Sequence, residues 1–253
     1  MAATRFAATV SYDGQEFAGS QRQANRRTVQ GELERALQAL TGQQARVDLA
    51  GRTDAGVHAM GQVAAFFLQK EGFDAATVGR ALNAHLARDV AVRHVRVVDE
   101  GFDPRRQARR RWYRYSVWNT PERDPLSRRT AWHVGAPLDL EAMQQAAEVF
   151  VGRHDFRAAC GPLEPGRTSV RNVLRTGWCR HGDTLQFDIE AESFLPQMVR
   201  RIAGALVGAG RGATTKEELS TLLAQAKRGT IGPTAPAHGL CLRHVYYEEG
   251  YVP

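Results

Sequence analysis

"ARVDLAGRTDAGVHAMGQVAAFFL" runs from Ala45 to Leu68 and holds two strand-like runs joined only by a loop. "ARVDLA" and "QVAAFFL" read as strands, and the glycine-bounded "GRTDAG" separates them. A strand–loop–strand pair in this place decides the topology, because a helical pattern stands on each side of it. Upstream, "RFAATVSY" reads as a strand ending at Asp13-Gly14. Thr28 then caps a helix with Val29, Leu33, Leu37 and Leu40 on one stripe, stopping at Gly42. Downstream, Asp74 caps a helix with Val78 and Leu82 inward, and "DVAVRHVRVV" closes the set as a strand. The order β-α-β-β-α-β is that of a ferredoxin-like split unit.

A second pass through the pattern begins near Arg110. "RWYRYSVWN" is a strand, "LEAMQQAAEVF" a helix, and "RNVLRTGWC" and "TLQFDIEAE" are two strands. "PQMVRRIAGALV" and "KEELSTLLAQAK" are helices, and "GLCLRHVYYE" is a last strand. The expected fold is α+β, two ferredoxin-like or RRM-like halves with mainly antiparallel sheets flanking a central cleft. Residues 1–104 form the first half and 105–253 the second, divided where the pattern lapses into charge and a proline. "VGAGRG" (Val207 to Gly212) resembles a phosphate loop, but it follows a helix instead of a strand, so it reads as a helix C-terminus.

Composition narrows the function. No run of eighteen apolar residues marks a membrane helix, and no signal segment opens the chain. Cys160, Cys179 and Cys241 are scattered and form no CxxC pair, and the eight histidines show no HExxH-like spacing. No metal and no cofactor are expected, and a cytoplasmic location fits the cysteine usage. The net charge is +7, and all basic residues but Lys70, Lys216 and Lys227 are arginine, the side chain that forks onto phosphate. "PRRQARRRWYR" gathers Arg105, Arg106, Arg109, Arg110, Arg111 and Arg114 around Trp112 and Tyr113, a pattern suited to RNA.

With these pieces in place, the chain resembles the tRNA pseudouridine synthase A family. "YDGQEFAGSQRQ", "TVQGELERAL", "GRTDAGVHAMGQV", "RRRWYRYSV", "FLPQMVRRIAG" and "GPTAPAHGLCL" match that family's segments in order from about Tyr12 to Tyr247. Ser20 stands where the family commonly has tryptophan, and Gln197 where histidine is frequent. The resemblance implies an isomerase that turns uridine into pseudouridine at positions 38 to 40 of the tRNA anticodon stem-loop, acting as a homodimer. It implies Asp54, Arg200 and Tyr113 as catalytic residues. Tyr113 would also bind substrate, together with Arg52, Arg109, Arg110 and Arg111.

The chemistry fits those residues. Detaching uracil from C1′ and rejoining it through C5 balances bonds, so it needs no cofactor. An ionised carboxylate can attack C1′, add to C6 or remove the C2′ proton. Arg200 would keep Asp54 ionised despite burial. On a helix, Pro196, Arg200, Gly204 and Gly208 share a stripe, and the two glycines would admit a loop from the other half. Arg201 reads as solvated. Tyr113 and Tyr115 point the same way on a strand, and Tyr115 is assigned to the core. Arg52 would fill the space of the extruded base or hold a phosphate, while Gly51 and Gly56 bend the loop. The rival readings are a non-catalytic RNA-binding protein, a metal-dependent nuclease, and a pseudouridine synthase for another RNA. No strand carries the aromatic RNP1 pattern, and only Asp54 among carboxylates lies in a promising loop.

Overall fold

The computed structural model describes residues 3–69 and 73–248. The chain divides into two compact units, Met1–Arg109 with Leu242–Pro253, and Arg110–Cys241. The sequence pattern places all of 105–253 in the second half. The difference has a topological cause, since the last strand, β10 (Leu240–Tyr246), runs beside a strand of the first unit.

In the first unit the elements follow the expected order. They are β1 (Thr4–Tyr12), α1 (Val29–Thr41), β2 (Val47–Leu49), β3 (His58–Leu68), α2 (Ala75–His85) and β4 (Val90–Val97). The strands lie in the order β4-β1-β3, with β2 and β10 both on β3. β1 is antiparallel to both neighbours, and β2 is antiparallel to β3. α1 starts where Thr28 accepts a hydrogen bond from the Gly31 N–H, and stops at Gly42 in the left-handed region. Its Val29, Leu33 and Leu37 are fully buried, each worth roughly 1.5–3 kcal/mol of burial. Asp74 caps α2 through the Thr77 N–H, and Val78 and Leu82 point inward as the spacing predicts. β3 begins four residues earlier than "QVAAFFL" suggests and is buried along almost all of its length.

The second unit contains β5 (Arg110–Trp118), β6 (Trp132–His133), α3 (Leu140–Ala147), β7 (Gly152–Asp155), β8 (Val170–His181), β9 (Thr184–Ala191), α4 (Met198–Gly210) and α5 (Lys216–Gln225). Its strands lie in the order β5-β9-β8-β7, each antiparallel to the next. "VGAGRG" is the end of α4, capped at Arg211, as its sequence context indicates.

Candidate active site

The loop between β2 and β3 carries Asp54. Its neighbour Thr53 is buried, and three bonds hold it. The Thr53 N–H donates to Ser20 Oγ at 2.8 Å, the Ser20 N–H donates to the Thr53 carbonyl at 3.1 Å, and the Thr53 hydroxyl meets Tyr12 Oη at 2.9 Å. Ser20 is itself wholly buried, so its hydroxyl fills a place that water cannot reach. Beyond Thr53 the chain turns, with the Val57 N–H on the Asp54 carbonyl at 3.2 Å and Gly56 at φ +79°. Gly56 therefore bends the loop. The chain also bends at Gly51, but φ there is not positive and a Cβ would meet nothing within 4 Å, so that bend does not require glycine. The Gly51 carbonyl accepts from Gln62 Nε2 at 2.9 Å. Asp54 is half-buried and Arg52 is exposed. His58 Nδ1 lies 3.1 Å from the Gly14 nitrogen and 3.2 Å from Asp13 Oδ1, which ties the loop to the turn after β1.

The second unit carries Tyr113 and Arg200. Alternation along β5 puts Arg111, Tyr113, Tyr115 and Val117 on the buried face. Tyr113 meets Phe194 edge-on, with ring centroids 5.1 Å apart. Tyr115 is entirely buried and donates to the Pro236 carbonyl at 2.9 Å. Burial pushes its phenol far above the ordinary tyrosine value, so it stays neutral, as befits a core residue.

Arg200, on α4, is fixed at both ends. Its Nε donates to the Ala235 carbonyl at 2.9 Å, and its own carbonyl accepts the Ala235 N–H at 3.1 Å. One turn on, a Cβ at Gly204 would lie 2.0 Å from the Pro233 carbonyl oxygen. The backbone that this glycine admits belongs to the same unit, and is not the loop from the other half that the stripe suggested. Gly208 admits no close backbone, as a Cβ there would meet only the Thr214 methyl at 3.7 Å. Arg201 is not solvated either: half-buried, it donates from Nη1 to the Gly229 carbonyl at 3.2 Å.

The arginine run from Arg105 to Arg114 is largely occupied with internal partners. Arg114 forks onto Asp188 at 2.8 and 2.9 Å, and Trp112 donates its indole N–H to the same carboxylate at 2.7 Å. Arg110 lies 3.2 Å from the deeply buried Glu190, which Arg175 also engages. Arg109 pairs with Glu248, and Arg106 lies 3.6 Å from Asp103. Arg111 is buried and donates to the Glu192 carbonyl at 2.6 Å. Those partners, apart from Asp103, lie far downstream in the sequence, and no local pattern announces them. Among the described residues no group of three or more His, Cys, Asp or Glu side chains is placed to hold a metal ion. No helix among them is long and apolar enough to cross a membrane.

A family model described as tRNA pseudouridine synthase matches residues 8–105 and 146–248. The chain belongs to the tRNA pseudouridine synthase family. It is 43% identical over 239 residues to the tRNA pseudouridine synthase A of Pelobacter propionicus, covering 94% of this chain and 98% of that one. To the Bacillus subtilis tRNA pseudouridine synthase A it is 39% identical over 247 residues, 97% of this chain and all of the other. The Myxococcus xanthus enzyme is 43% identical over 250 residues, 97% of this chain and 93% of that one. The braced Asp54 loop and the Arg200 helix both fall within the segments matched to the tRNA pseudouridine synthase family.

Proposed function

We propose that this protein isomerises uridine to pseudouridine in tRNA, with Asp54 as the group that reacts at the sugar or base. The observation that carries the reading is the bracing of the Asp54 loop. A surface turn has no need of three buried hydrogen bonds on the residue before its aspartate, whereas a nucleophile must be held in place to well within an ångström. In this proposal Arg200 is a second catalytic residue, and the Tyr113 ring stacks on the target uracil. Arg52 manages the extruded nucleotide, with Arg109, Arg110 and Arg111 contributing basic charge to RNA binding. The family resemblance supports positions 38 to 40 of the anticodon stem-loop as targets, a homodimer as the working assembly, and the cytoplasm as its place.

Asp54→Asn keeps the size and removes the negative charge. Tritium release from tRNA labelled at uracil C5 should fall on the order of 10³-fold or more, with tRNA binding retained. Asparagine serves a turn about as well as aspartate, so a folded, RNA-binding variant with substantial release would refute the assignment.

A further inference from the structure

The first unit holds a groove of about 760 Å³ that no part of the catalytic proposal uses, apart from Arg52 at one end. Five arginines line it among the described residues, namely Arg5, Arg46, Arg52, Arg105 and Arg106, against only two aspartates, Asp48 and Asp103. The two aspartates do not cancel that charge. Asp48 is shared between Arg5 at 2.8 Å and Arg46 at 3.3 Å, Asp103 lies 3.6 Å from an exposed Arg106, and Arg52 has no ion-pair partner among the described residues.

One wall is an aromatic ring. Phe67, near the end of β3, is 41% exposed although the four residues before it are buried. Arg5 pairs with it across strands β1 and β3 and sets its guanidinium carbon 4.5 Å from the ring centroid. Arg5 is itself 6% exposed and locked by Asp48 and by the Phe102 carbonyl at 3.1 Å. The ring is thus backed from inside by a fixed cation and left open toward a groove lined with further arginines. An unpaired base suits such a surface, because its π-face stacks on the ring while the flanking phosphates meet the guanidinium groups.

We propose that this groove is a second RNA-binding site, which seats an unpaired nucleotide of the substrate on Phe67 and its neighbouring phosphates against Arg46 and Arg106. The proposal rests on the reading of this chain as a tRNA-modifying enzyme. The nucleotide bound here is distinct from the uridine that is isomerised. From Gln62, which holds the Asp54 loop, to Phe67 is five residues of strand, about 17 Å at about 3.3 Å per residue. The groove reaches the Asp54 loop at Arg52, but a nucleotide stacked on Phe67 lies well away from the one Asp54 would act on.

The test measures binding of an unmodified tRNA transcript across a range of salt concentrations. Arg46→Gln combined with Arg106→Gln should flatten the salt dependence by about 0.7 in slope for each phosphate of single-stranded RNA that is no longer neutralised. Phe67→Leu, which keeps an apolar side chain but no ring, should weaken binding about tenfold with the slope kept. Wild-type slope in the double variant, or wild-type affinity in a folded Phe67→Leu protein, overturns the proposal. Tritium release by the wild-type protein checks the underlying reading separately. If the wild type releases none while both variants still bind RNA more weakly, the groove stands as an RNA site and the isomerase reading falls.

Discussion

At the scale of single residues, Ser20 has the largest claim on the Asp54 loop for its size. It is a small hydroxyl whose oxygen accepts the buried Thr53 N–H. Ser20→Ala leaves that donor with no acceptor, at a cost of about 1–3 kcal/mol. We expect the melting temperature to drop by several degrees and tRNA turnover to fall with it, because Asp54 follows directly on Thr53. A melting curve that superimposes on the wild type would show the bond to be dispensable. Nothing in the sequence announces this role, since Ser20 and Thr53 are 33 residues apart and serine is as ordinary in a loop as anywhere. Asp54 is legible for the opposite reason: its motif is contiguous. Tyr113 and Tyr115 fall between these cases. Alternation puts both on one face of β5, and it is the complete burial of Tyr115 with its bond to the Pro236 carbonyl that marks that ring as structural.

At the scale of elements, what the sequence encodes locally can be read, and what it encodes through distant partners cannot. The caps of α1 and α2 are written in adjacent residues and appear where Thr28 and Asp74 predict. β6 has only two residues and β7 four, too few for any periodicity to show. The stripe on α4 is half right, because spacing reveals small residues but not what packs on them. Arg27 shows how a distant partner ties elements together. Just before α1, it forks onto Asp89 beside the start of β4 at 2.7 and 2.8 Å and covers the Phe17 ring. The hydrogen bond from Arg27, with its charge, holds the Asp89 carboxyl below the usual carboxylate range despite partial burial. A depressed carboxylate stabilises the fold fully above its unfolded value, near 4, and that contribution fades as pH falls through the lower folded value. Asp89→Asn should therefore cost about 1 kcal/mol at neutral pH, and denaturant titrations should show the gap closing in acid. A gap that is the same at both ends of the pH range would assign the loss to shape and not to charge.

At the scale of the whole molecule, bulk charge points correctly to a nucleic-acid enzyme, yet the count of arginines overstates the surface available to RNA. Of the run from Arg105 to Arg114, Arg114 and Arg110 are bound to carboxylates within their own sheet. The assembly is the remaining expectation at this scale. Leu126 is 90% exposed and Val97 59%, but isolated apolar residues mark no interface, so the expected dimer rests on the family resemblance. Light scattering at micromolar concentration should give twice the chain mass of 27.9 kDa, and a monomer mass would refute the dimer. The division of the chain is only partly legible, because a strand's place in sequence does not reveal its neighbour in space. β10 comes last yet lies on β3. Its end is latched to the point where the chain leaves the first unit, with the Arg109 N–H on the Tyr246 carbonyl at 2.8 Å and Tyr247 Oη on the Pro104 carbonyl at 2.7 Å. During translation, then, the part of the protein that carries Asp54 emerges first and is completed last. It must wait, part of the β3 edge unpaired, while the ribosome makes the second unit, roughly ten seconds at about 5–20 residues per second. Over that interval a nascent chain depends on whatever shields exposed strand edges in the cell. A change in β10 would therefore be felt in the unit that carries Asp54, although the two lie far apart in the sequence.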